Sequence, residues 1–150
     1  MTRPFTLQTQ LDHNQTRSDE ATRRLGRLIS AEQSARSRLA LLEQYREEYA
    51  QRYREAVSGG LTPMALRNFQ DFMARIDDAI RQQAQAVADS EQGTAAGQAA
   101  WKEQNKRLKA IDTLSDRHEA RERYRDNRQE QKEQDEYAAR TREGQKPDDA

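Results

Sequence analysis

The sequence has no cysteine, only three prolines, one tryptophan and eight other aromatic residues in 150. Without cysteine there can be no disulfide, no thiolate nucleophile and no Cys-based zinc site. Leu, Ile, Val and Phe together make only 20 residues, too few for the thick core of a β-sandwich or an ordinary globule. No apolar run approaches the ~20 residues that span a bilayer. The opening Met1–Gln8 lacks the apolar stretch of a secretory signal, so the expectation is a cytoplasmic protein. One sign of charge is not in excess either: 26 Lys and Arg balance 26 Asp and Glu. A basic stripe for nucleic acid is therefore missing, and no nucleic-acid partner is expected. The self-repulsion typical of disordered chains is missing as well.

What is present is helix-forming material. Ala, Glu, Lys, Leu and Arg account for 72 residues, about half the chain, the share expected of long helices if a heptad period accompanies it. The prolines stand at 4, 63 and 147, leaving two long stretches free of the residue that costs ~3 kcal/mol inside a helix. Between the stretches lies Ser58-Gly59-Gly60-Leu61-Thr62-Pro63. The Gly pair can end a helix, Thr62 can cap the next one, and Pro63 suits its first position. Leu61 and Leu66 can form a hydrophobic staple across that cap.

The period agrees. Alternating steps of four and three from Leu7 reach Leu11, Asn14, Ser18, Ala21, Leu25, Leu28, Glu32, Ala35, Leu39, Leu42, Arg46, Tyr49, Tyr53 and Ala56. Eleven of these 15 are apolar, where composition alone would give about five. From Phe69 the same steps reach Met73, Ile76, Ile80, Gln83, Val87, Ser90, Thr94, Gly97, Trp101, Gln104, Leu108 and Ile111, with eight of 13 apolar. Such a sustained repeat is a coiled-coil seam. A short turn makes the helices antiparallel, so facing residues should sum to about 119: Tyr49 with Phe69, Leu42 with Ile76, Leu39 with Ile80, Ala21 with Gly97 and Ser18 with Trp101. The expected fold is all-α, a long antiparallel two-helix coiled-coil hairpin with an overhanging C-terminal helix. Its first region is 1–115, with a helix over about 5–57, a turn at 58–62 and a second helix from 63. Residues 116–150 form a charged helical extension and flexible tail, with Gly144 and Pro147 closing the helix.

The search for chemistry returns little. His13 and His118 belong to no H-E-x-x-H pattern and read as solvated or seam-edge residues. No nucleophile elbow, phosphate loop or dinucleotide fingerprint is present, so neither an enzyme nor a cofactor is expected. Gly93-Thr94-Ala95-Ala96-Gly97 has the G-x-x-x-G spacing but lies in polar sequence; it reads as a thin, loosely packed stretch or as a flexible joint. Near the turn, Leu41, Tyr45, Phe72 and Ala79 flank the seams. Two rows one step off the core, Arg38, Leu42, Tyr45, Tyr49 and Phe72, Ile76, Ala79, Gln83, either make a partner site or merely shield the seam's edge.

Several blocks in order resemble the FliJ family of the flagellar export apparatus. They are Glu20-Ala21 with Arg24-Leu25-Gly26, Leu42-Glu43-Gln44-Tyr45-Arg46-Glu47-Glu48-Tyr49, the Gly60 turn, Asn68-Phe69-Gln70-Asp71-Phe72 and Ala79-Ile80-Arg81-Gln82. Trp101 with Arg107-Leu108, Leu114 with Arg117, and Asn127-Arg128-Gln129-Glu130-Gln131-Lys132 with Asp135-Glu136 follow. The resemblance implies a non-enzymatic component of type III protein export, cytoplasmic and peripherally associated with the inner membrane at the flagellar base, without membrane insertion. It implies a stalk role in the ring of the export ATPase FliI, regulated by FliH, and contact with the gate protein FlhA and export chaperones. It places the two off-core rows at the gate. It places Arg128, Lys132, Asp135 and Arg140 at the ATPase ring. Competing readings are an injectisome stalk protein and a coiled-coil chaperone holding export substrates.

Overall fold

A computed structural model describes residues 5–144. It contains two α-helices, α1 over Phe5–Ser58 and α2 over Pro63–Gly144, of 54 and 82 residues. No strand occurs among the described residues. The architecture is the all-α helical hairpin that the heptad pattern predicts. Pro147 lies outside the described residues.

The turn is built by the local chemistry its sequence announces. The Gly59 amide donates to the Glu55 carbonyl at 3.1 Å, and the Gly60 amide to that of Val57 at 3.2 Å. These bonds satisfy carbonyls left open at the end of α1. Gly60 has φ of 85°, a left-handed conformation that a side chain would disfavour. Thr62 then caps α2: its Oγ1 accepts from the Ala65 amide at 3.2 Å, and its carbonyl accepts from Leu66 N–H at 3.0 Å. Leu61 and Leu66 on either side of that cap are both partly buried.

Burial follows the two seams closely. Of the 15 positions stepped from Leu7, Arg46 alone is exposed, and none of the 13 stepped from Phe69 is. The described residues group into two compact units. One runs from Asp19 to Glu103 and includes the turn. It holds the buried apolar residues Ala35, Ile76 and Val87. Cross-helix polar links accompany them. Gln83 Nε2 donates to the Ala35 carbonyl at 2.9 Å, Thr94 Oγ1 to the Leu28 carbonyl at 3.3 Å, and Trp101 Nε1 to Thr22 Oγ1 at 3.0 Å. Arg36 pairs with Glu91 at 2.6 Å and Arg46 with Asp77 at 2.5 Å.

The other unit joins the described residues up to Ser18 with those from Gln104 onward. Its buried residues are polar: Ser18, Gln104 and Ser115. Gln104 Nε2 donates to Asn14 Oδ1 at 3.1 Å. The hydroxyl of Ser115 is fully buried and has no hydrogen-bond partner. Partial burial continues through His118, Glu119 and Glu122, beyond the 115 expected as the end of pairing, and every residue from 123 to 144 is exposed.

The structure differs from the expected loose packing at Gly97. That glycine is buried, and an added Cβ would lie 2.5 Å from Leu28 Cδ1 and 3.7 Å from Leu25 Cδ1. Leucine side chains of α1 fill the space over it. The glycine spacing therefore marks close packing instead of a loose stretch, and α2 runs through it without a break.

Candidate functional site

The densest aromatic packing lies in the turn-containing unit. One helical turn separates Tyr49 from Tyr53 on α1, and Phe69 and Phe72 stand three residues apart on α2. Tyr49 sits between the two phenylalanines, its ring centroid 5.2 Å from that of Phe69 and 4.6 Å from that of Phe72. Tyr53 meets Phe69 at 5.6 Å. All three pairs are tilted, at 42–59°, as quadrupolar rings prefer to be.

Beside this cluster is a groove of ≈ 410 Å³ lined by Leu42, Tyr45, Glu48, Tyr49, Arg52, Phe72 and Ile76. Ile76 forms its buried floor, while Tyr45 is 52% and Phe72 46% exposed. Large rings half in water at the edge of a packed cluster suit an apolar anchor from another molecule. Glu48 and Arg52, one helical turn apart, add opposite charges at the rim. Beyond Leu42, Arg46 turns away from the apolar seam and donates from Nε to Asp77. That hydrogen bond, and the carboxylate's charge, raise the Arg46 pKa further.

Of the eight residues in the two off-core rows, Leu42, Tyr45, Tyr49, Phe72 and Ile76 share this groove. Arg38 is exposed, Ala79 is partly buried, and neither is part of the groove lining. Gln83 is committed across the helices to the Ala35 carbonyl. Sequence reasoning missed Glu48 and Arg52. Their signal was present as charges three residues beyond Tyr45 and three beyond Tyr49, on the groove's helix face.

The second set lies on α2 in the other unit. Arg128, Lys132, Asp135 and Arg140 are all exposed. The Arg128 guanidinium carbon lies 5.8 Å from the centre of the Tyr124 ring, within cation–π range. Arg128, Lys132 and Asp135 stand along one helix face with Tyr124 and Glu136, whereas Arg140 is off that lining. The arrangement is a solvated surface of mixed charge, suited to complementary ionic contacts.

No group of three or more His, Cys, Asp or Glu residues poised for a metal occurs among the described residues. His13 is exposed, and His118 Nε2 lies 3.9 Å from Glu122 one turn along the same helix. No described helix is long and apolar enough to cross a membrane.

The family model described as "Flagellar FliJ protein" matches residues 3–146. Flagellar FliJ proteins of Salmonella typhi and Escherichia coli K12 are each 31% identical to the chain over 134 residues, covering 89% of this chain and 91% of theirs.

Proposed function

The chain belongs to the flagellar FliJ family, and from that premise we propose that it is a non-enzymatic component of flagellar type III protein export. In this reading it acts as a stalk within the export ATPase ring and links that ring to the export gate and to export chaperones. It works at the flagellar base, beside the inner membrane. The observation that carries the reading is the separation of two unlike surfaces into two units. One holds a half-exposed aromatic groove. The other ends in a helix exposed at every position from 123 to 144.

The groove offers apolar anchoring to the gate through Leu42, Tyr45, Tyr49, Phe72 and Ile76, with Arg38, Ala79 and Gln83 completing the gate-facing rows. The charged face around Arg128, Lys132, Asp135 and Arg140 offers ionic contacts to the ATPase ring. A single asymmetric chain in a ring of identical subunits meets each of them differently, so it can favour different nucleotide states around the ring.

A pulldown of the full chain with the purified export ATPase and with the gate's cytoplasmic domain tests the reading. Saturable capture of both is expected. Capture of neither, with binding instead to many unfolded export substrates, would favour a substrate-holding chaperone and overturn the stalk role.

A further inference from the structure

A heptad seam does not fix its own register, because sliding one helix by seven residues places core positions opposite core positions again. The short turn at 59–62 restrains such a slip from one end, and the unit from Asp19 to Glu103 carries a feature along the seam that opposes it as well. Leu28 lies over Gly93 and Gly97: an added Cβ would stand 3.6 Å from Leu28 Cδ2 at Gly93, and 2.5 Å from Leu28 Cδ1 at Gly97. The first distance is ordinary contact. The second leaves no room for a side chain unless Leu28 moves. Thr94, between the two glycines, donates its hydroxyl to the Leu28 carbonyl.

The heptad neighbours make this fit unique along the seam. Seven residues either side of Leu28 stand Ala21 and Ala35. Seven residues before Gly93 and Gly97 stand Ala86 and Ser90, and seven after stand Ala100 and Gln104. A slip in either direction would move Leu28 onto positions that carry Cβ atoms. It would also leave the glycine notch facing an alanine, with an unfilled space.

We infer that Leu28 and Gly97 are positioning residues: a key and its notch that lock α2 in one axial register against α1. The lock holds Phe72 and Ile76 beside Tyr45 and Tyr49, since a slip of one heptad would bring other α2 residues to that groove. A glycine in the middle of a helix weakens it relative to alanine, and at Gly97 the notch is what it provides in return. The register claim stands whether or not the groove binds the gate.

Because the full chain has no cysteine, register can be read by cross-linking. Arg36 and Glu91 meet across the helices in the native register; Ala84 and Gln98 lie one heptad to either side of Glu91. Arg36→Cys is paired in turn with Glu91→Cys, Ala84→Cys and Gln98→Cys and joined by a short bismaleimide. The 36–91 product should dominate in the otherwise unchanged chain. Leu28→Ala or Gly97→Leu should raise the 36–84 or 36–98 product about tenfold, with helicity retained by circular dichroism. Combining Leu28→Ala with Gly97→Leu moves the knob to the other helix and should restore the native product. Leu28→Ala removes atoms only and carries the test if Gly97→Leu does not fold. Gly93→Ala, which meets ordinary contact, should leave the ratio unchanged. If the 36–91 product dominates equally in every background, or if the combined variant slips as much as the single ones, Leu28 and Gly97 do not set the register.

Discussion

At the residue scale, the polar members of the seams are the sensitive ones. Gln104 is buried and its amide is held by Asn14. Asn14→Ala should strip that partner, leave the amide only its longer bond to the Asn14 carbonyl at 3.5 Å, and lower stability by about 1 kcal/mol. Replacing both residues by leucine should recover that loss or exceed it. Chemical denaturation of the two variants measures the difference. Thr62→Ala should cost about 1 kcal/mol through loss of the cap on Ala65. The Arg46–Asp77 pair behaves otherwise, because it is exposed to salt and solvent. Its raised Arg46 pKa gives a contribution fully present below the unfolded pKa and lost only as pH rises through the still higher folded one. Melting at fixed salt between about pH 6 and 9 should therefore show no step from this pair, while Asp77→Asn should give a small loss that shrinks as salt is raised.

At the element scale, much of the fold is legible in the sequence. The Gly60 conformation, the Thr62 cap and both seams follow from rules that involve only neighbours in sequence or one repeating period. That is why the stepped positions are covered almost without exception. Arg46 departs because its charge finds Asp77 at the edge. What the period could not reveal is how side chains meet between the two helices. Heptad counting put Ala21 over Gly97, but the longer leucines at 25 and 28 reach into the notch first. Likewise, Gln83 falls on the counted seam, but the count does not show its amide reaching the Ala35 carbonyl. The groove was legible through its aromatic residues, and its charged rim at Glu48 and Arg52 was not, because charges on so polar a helix carry no contrast. The exposed end of α2 has no partner-facing pattern to read. Its helix rests on local pairs such as Gln129 with Glu133 and Arg125 with Glu122, each contributing only about 0.2–0.5 kcal/mol. Deleting residues 120–150 should reduce helical signal roughly in proportion to the helical residues lost from 120–144 and, on the proposed role, weaken stimulation of the export ATPase. Unchanged stimulation would place the ring contact elsewhere.

At the scale of the whole molecule, the apolar residues of the two seams are covered, while others such as Met64, Tyr124 and Tyr137 stand exposed. Ala35, Ile76 and Val87 are the buried apolar residues among those described, and the half-exposed Tyr45 and Phe72 stand in the same unit. The flagellar FliJ family model matches residues 3–146, and on the proposed role the apolar residues left outside the seams serve to engage other components. The half-exposed groove is the centre of the proposed role. Titrating the gate's cytoplasmic domain into the full chain and into the Tyr45→Ala/Phe72→Ala variant, by calorimetry, tests it most directly. Saturable binding to the unchanged chain is predicted, with at least about a hundredfold weakening in the variant, as two interface anchors removed together imply, and with unchanged helicity. Equal affinity for both chains would contradict the account.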